Sequence, residues 1–200
     1  MEAENEFLKS ENRIHKVGNI FTRIIGVSDL DKQTACDFIK RLRKISKGGV
    51  SIQAVSADAV YGINHVLQAL RITIESERRK ISLASTPEMD LLLRISCTDQ
   101  ISTALKQVGL RNQAPSCFII FSKDKAKMQK VTRDIRNMPL QIDDCVLKPN
   151  ITKKELICKR LGVQLNQFLS EEVAFTNFLS EMAALLTKQR RPHVASLLLS

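Results

Sequence analysis

Gly62-Ile63-Asn64-His65-Val66-Leu67-Gln68-Ala69-Leu70-Arg71 is the stretch on which the reading of this chain turns. Val60, Ile63, Leu67, Leu70 and Ile74 recur around it at helical spacing, which makes one apolar stripe. Gly62, His65, Ala69 and Ile72 form a second line, nearly opposite. A helix that is apolar on one side and small or apolar on the other packs on two sides, so a doubly packed helix is predicted from Asp58 to about Arg79. Its outgoing end is basic, with Arg71, Arg78, Arg79 and Lys80. Ser85 and Glu88 then stand at capping-box spacing around Pro87, opening a second helix from Glu88 to Ile95. A third follows Thr98 or Asp99 as N-cap, carries Ile101, Ala104, Leu105 and Val108 on one face, and stops at Gly109.

Outward from this block, strands alternate with helices. Ile20–Val27 reads as a first strand. Ser28 or Asp29 caps a helix to about Lys47 that buries Ala35, Phe38, Ile39 and Leu42, and Gly48-Gly49 ends it. Val50–Ala57 reads as a second strand, leading through Ser56 and Asp58 as candidate caps. The near-continuous apolar run Cys117-Phe118-Ile119-Ile120-Phe121 suits a central strand covered on both faces. A basic helix spans Lys123 to about Asn137, exposing Lys123, Lys125, Lys127, Lys130, Arg133 and Arg136. Cys145–Lys148 reads as a short strand before Pro149. Thr152 and Glu155 repeat the capping-box spacing before a helix to Leu161 that Gly162 ends. Glu171 to about Lys188 is amphipathic, with Val173, Phe175, Phe178, Met182 and Leu185. The expected class is α/β, a single domain with a central mixed sheet flanked by helices. The expected division is a variable N-terminal segment (1–19), one domain (20–188) and a C-terminal tail with the character of a disordered extension (189–200).

The 200 residues suffice for one sizeable core, and 44% hydrophobic with 26% charged residues belongs to folded, water-exposed proteins. A net charge of +10 favours a polyanionic partner, nucleic acid above all, while solvated surface lysines explain the same number. Five scattered cysteines without a CxxC pair read as reduced thiols, mostly buried, in an intracellular protein. Three distant histidines offer no zinc spacing. No apolar run reaches the roughly 18 residues of a membrane span, and Met1–Glu11 is unlike a signal peptide. A cytoplasmic location is expected, with no metal and no cofactor.

Catalytic signatures are missing. There is no phosphate loop, no dinucleotide turn and no nucleophile elbow. Asp143-Asp144 reads as a solvated turn. His65, beside Gly62 and Ala69, reads as a structural histidine between helices. The basic helix end admits two readings, a solvated terminus with Arg71 paired to Glu75, or a phosphate-binding patch with Ser82, Ser85 and Arg94. One tyrosine, no tryptophan and eight phenylalanines in core-like runs do not support base stacking on an aromatic platform.

The string from Gly62 to Arg71 resembles the G-x-x-H-x-x-x-A helix of the PRPK-binding (TPRKB-like) family, the kinase-binding accessory subunit of the KEOPS/EKC tRNA-modification complex. Glu88–Ser96 followed by Gln100-Ile101-Ser102-Thr103-Ala104-Leu105 is similar to that family's archaeal pattern of a leucine run, a small turn and Q-I-x-x-A. Glu181–Leu186 is similar to its closing E-x-V-A-L-L. The resemblance implies a non-catalytic regulatory subunit that binds the small kinase/ATPase and, through it, the threonylcarbamoyl-transferring subunit. It also implies help in recruiting tRNA by its 3′ CCA end for threonylcarbamoyladenosine modification. Carried onto this chain, the RNA-binding residues are Arg71, Arg78, Arg79, Lys80, Ser82, Ser85 and Arg94. The kinase-binding residues are Met182, Leu185 and Leu186, and Gly62, His65 and Gln100 are structural. Ser96-Cys97-Thr98-Asp99 departs from the Ser-Gly-Thr-Arg of many archaeal relatives, and Asp99 in place of a cation weakens any phosphate contact there. The alternative is a free-standing basic RNA-binding module with no kinase partner.

Overall fold

The computed structural model describes residues 13–45, 49–138, 140–165 and 172–186. Its sheet is built around β2 (Ile20–Asp29), which pairs along one side with β4 (Ser116–Ser122). The other side of β2 is shared by β1 (His15–Val17) at one end and β5 (Gln141–Ile142) at the other. β3 (Ser51–Ser56) completes the sheet on the far side of β4, giving the order β1-β2-β4-β3. The α/β class and the helix-flanked sheet are those expected, but every pairing is antiparallel where a mixed sheet was anticipated. The reason is topological. β2 and β3 are joined by a helical crossover and run parallel to each other, yet β4 inserts between them and runs against both. All seven residues of β4 are buried, as a strand covered on both faces requires.

α1 (Lys32–Ile45) and α5 (Lys125–Arg136) lie on one side of the sheet. There Ala35 and Ile39 of α1 and Met128, Val131 and Ile135 of α5 meet Ile25, Val27, Ile52, Phe118 and Ile120. Phe38 and Leu42, expected on the same face of α1, have side chains outside the described residues. The opposite side of the sheet carries α2 (Gly62–Arg78), α3 (Pro87–Ser96) and α4 (Ile101–Val108). Leu91 to Ser96 of α3 are all buried, because neighbours surround this helix on every side. In α2 the small-residue line Gly62, His65 and Ala69 is buried, while Ile63, Leu67 and Ile74 are half-buried against the same core. A third cluster joins Tyr61 to α6 (Ile151–Leu161) and α7 (Glu172–Leu185). Tyr61 meets Phe175 edge to face at 4.8 Å.

Several boundaries differ from expectation. At α1, α3 and α6 a side-chain cap sets the difference, whereas α4 starts after Gln100, in place of Thr98 or Asp99, with no side-chain cap bond. α1 is capped by Asp31, which accepts the Thr34 N–H at 2.7 Å, because β2 continues through Ser28 and Asp29. α3 is capped by Thr86 and α6 by Asn150, in place of Ser85 and Thr152. Ser56 and Asp58 cap no long helix: a 3₁₀ turn, Ala57–Ala59, intervenes before α2. Cys145–Lys148 is not a strand. Asp144–Leu147 is a 3₁₀ turn that plugs the gap along β2 between β1 and β5. Its Asp143 N–H donates to the Gly26 carbonyl at 3.0 Å, and Asp144 Oδ1 accepts the Gly26 N–H at 2.5 Å. Asp144 is therefore buried rather than solvated. Gly26 is obligatory here, because a Cβ would lie 2.5 Å from the Asp143 carbonyl oxygen. β1 lies inside the stretch expected to be variable, and the tail 189–200 lies outside the described residues.

Candidate functional site

α2 begins where the chain bends sharply. Gly62 has φ +79, and a Cβ on it would meet Pro149 Cγ at 2.8 Å. One turn later His65 is buried, and its Nδ1 accepts the Tyr61 N–H at 3.2 Å. Its proton thus resides on Nε2, a buried nitrogen with no hydrogen-bond partner among the described residues. Burial, and then the nearby charge of Arg160, push the imidazole down to about 3, so it is neutral at physiological pH. Gln100, at the N-cap of α4, makes no side-chain cap bond, but its amide oxygen accepts from Thr103 at 3.3 Å. Ile101 and Leu105 of α4 face solvent, so only Ala104 and Val108 form its buried face.

The basic end of α2 is exposed at Arg71, Arg78, Arg79 and Lys80. Glu75 does not pair with Arg71. It receives Arg78 at 2.6 Å and Arg79 at 2.5 Å, and these two guanidiniums hold its carboxyl down at about 2. Arg71 instead donates to Gln68 at 3.3 Å. Lys80 sits in the left-handed region, φ 59, and closes α2 with Ile81 N–H donating to Ser76 and Lys80 N–H to Glu77. Ser85 is exposed beside this end and Ser82 is half-buried.

Arg94 does not join this patch. It is 2% exposed and lies between α2, α3 and α7. Its guanidinium pairs with Asp90 at 3.4 Å and donates to Ser76 Oγ at 3.1 Å. It also donates to the carbonyls of Ala183 at 2.6 Å and Leu186 at 3.2 Å, the open carbonyl end of α7. Asp90 in turn accepts the Leu83 N–H at 2.6 Å. A buried cation with four acceptors around it is a structural clasp, which removes Arg94 from the RNA-facing set.

The clasp fixes which side of α7 is seen by solvent. Phe175, Leu179 and Ala183 point inward, and Met182 and Leu186 are half-buried at the seam. Val173, Asn177, Glu181, Ala184 and Leu185 form one exposed stripe, with Val173 at 71% and Leu185 at 76% exposure. Beside it a groove of about 510 Å³ runs between α7 and the start of α2, walled by Val173, Thr176, Asn64, Ile63 and Pro149. A family profile described as kinase binding protein CGI-121 matches residues 28–185. The chain belongs to this family. No curated protein matches the chain at a significant level.

In this kinase binding protein CGI-121 family chain, the turn before Gln100 shows what the differing residue does. Cys97 has φ 54, with Thr98 N–H donating to Leu93 and Cys97 N–H to Arg94, a helix stop ordinarily given to glycine. Its thiol is raised to about 11 by burial, far from the reactive range. All five cysteines are free, with Cys145 exposed. Among the described residues no three or more His, Cys, Asp or Glu side chains gather as metal ligands, and no helix is long and apolar enough to cross a membrane. Sequence reading missed Val173 as a surface residue, since its apolar character placed it with the core face. It also missed that Arg133 and Arg136, seen as plain solvated charges, share a groove with Arg23.

Proposed function

We propose that this chain is the non-catalytic regulatory subunit of a KEOPS-type complex, of the archaeal kind its motifs resemble. It binds the small kinase/ATPase subunit through the exposed stripe of α7, and through that subunit the threonylcarbamoyl-transferring one. The observation that carries this reading is the kinase-binding family match over residues 28–185, with Val173 and Leu185 standing apolar and exposed on the C-terminal helix. Large apolar side chains held out on a rigid helix serve as contact anchors in helix-mediated recognition. Leu185 leads this surface, and Met182 and Leu186 border it. In the same reading Arg71, Arg78, Arg79 and Lys80, with Ser82 and Ser85, help recruit tRNA by its 3′ CCA end for threonylcarbamoyladenosine modification in the cytoplasm.

The test is co-purification with the small kinase. Wild-type protein should form a complex stable at moderate salt, and Val173→Asp with Leu185→Asp should weaken it by tenfold or more. Failure of wild type to bind any such kinase would overturn the proposal. The second reading, a free-standing RNA-binding module, draws on the net charge of +10 alone. Binding to tRNA with and without its 3′ CCA separates the two, since a purely electrostatic surface is indifferent to trimming and loses affinity steeply with salt.

A further inference from the structure

We propose that the groove between β2 and α5 is a phosphate-binding site that takes an organophosphate of nucleotide size. Gln129, Thr132, Arg133 and Arg136 fall at i, i+3, i+4 and i+7 of α5, so they share one face of the helix. That face forms one wall of a groove of about 440 Å³. Arg23 of β2 enters from the sheet, and Ile14 and Met128 give the groove an apolar border. The volume lies in the range of small-molecule sites, and an apolar border with a few converging polar groups is their usual composition.

Three arginines line this space, and the guanidinium group matches phosphate oxygens in forks of two N–H groups. Arg23 is only 3% exposed and has the positive charge of Arg136 close by. The Asp144 carboxylate, which also accepts the Gly26 N–H, faces both of them. Like-charged guanidiniums lining one groove raise its positive potential, which favours an anionic ligand. Arg133 is exposed and adds its charge to the groove. The groove lies across the sheet from the basic end of α2, so it is independent of the tRNA surface proposed above.

The experiment is isothermal titration of the full 200-residue chain with AMP, inorganic phosphate, and a short single-stranded RNA. The same titrations follow with the Arg133→Ala/Arg136→Ala pair and, as a control, Arg78→Ala/Arg79→Ala. Both pairs change exposed helix positions, and circular dichroism verifies that each folds. The site predicts AMP binding at submillimolar concentration, competed by phosphate, and weakened tenfold or more by the α5 pair but not by the α2 pair. RNA that displaces AMP and binds tenfold tighter identifies the ligand as a nucleotide within a strand. Equal or weaker RNA binding identifies a free nucleotide. Absence of AMP and phosphate binding at millimolar concentration, or binding indifferent to the α5 pair, overturns the proposal.

Discussion

His65 shows how a single side chain sets a pH limit on this fold. Its imidazole titrates at about 3 in the native state against 6.5 in the unfolded chain. Between those values the unfolded chain binds the extra proton, so stability falls as pH drops through 6.5. The loss from pH 7 to pH 4.5 should be about 2–3 kcal/mol by denaturant titration, with half-buried His15 adding in the same direction. His65→Gln should flatten most of this slope, and an unchanged slope in the variant would sink the assignment. Lys80 poses a different residue-scale question, because a non-glycine residue in the left-handed region costs roughly 1 kcal/mol. Its side chain is exposed, so Lys80→Gly should raise the unfolding free energy by about 0.5–1 kcal/mol. The same variant removes one cation of the proposed tRNA surface, so stability and RNA affinity should move in opposite directions.

At the scale of elements, α7 is held by a clasp that its own sequence does not reveal. Arg94→Ala leaves Asp90 buried without its cation and the carbonyls of Ala183 and Leu186 without their donor. Breaking a buried pair from one side costs about 3–5 kcal/mol, and hydrogen exchange should report α7 as the first element to open. If α7 retains full protection in the variant, the clasp is not what seats it. Helices and strands themselves were legible from periodicity: β4 from its unbroken apolar run, α3 from its leucines, α2 from its two packed lines. Cap residues were not, because Ser85 and Thr86, or Asn150 and Thr152, are chemically equivalent until backbone direction selects one. Arg94 was misread for a similar reason. A cation near serines reads as a surface group unless the chain brings acceptors from a helix 89 residues away.

For the whole molecule, the order of strands was the least legible feature, since alternation of strand and helix does not tell whether a third strand will insert between two others. The insertion of β4 makes Gly26 a structural node, with the 3₁₀ turn pressed against it. Gly26→Ala should cost about 1–3 kcal/mol through forced displacement of that turn, measured as a lowered denaturation midpoint with unchanged slope. The shared pairing of β2 by β1, the turn and β5 has a further consequence. A strand ten residues long at the margin of a sheet would offer a row of unpaired amides to any passing chain. Here three short segments occupy parts of that row, at Ile20 to Thr22, at Gly26 and at Val27 to Asp29, so no long uninterrupted margin of β2 faces a foreign strand among the described residues. β3, only six residues long, pairs with β4 alone among the described strands. Edge-to-edge joining of two copies is thereby confined to short margins, β3 on one side and β1 and β5 on the other, which leaves the helical faces as the broad surfaces on which assembly can proceed.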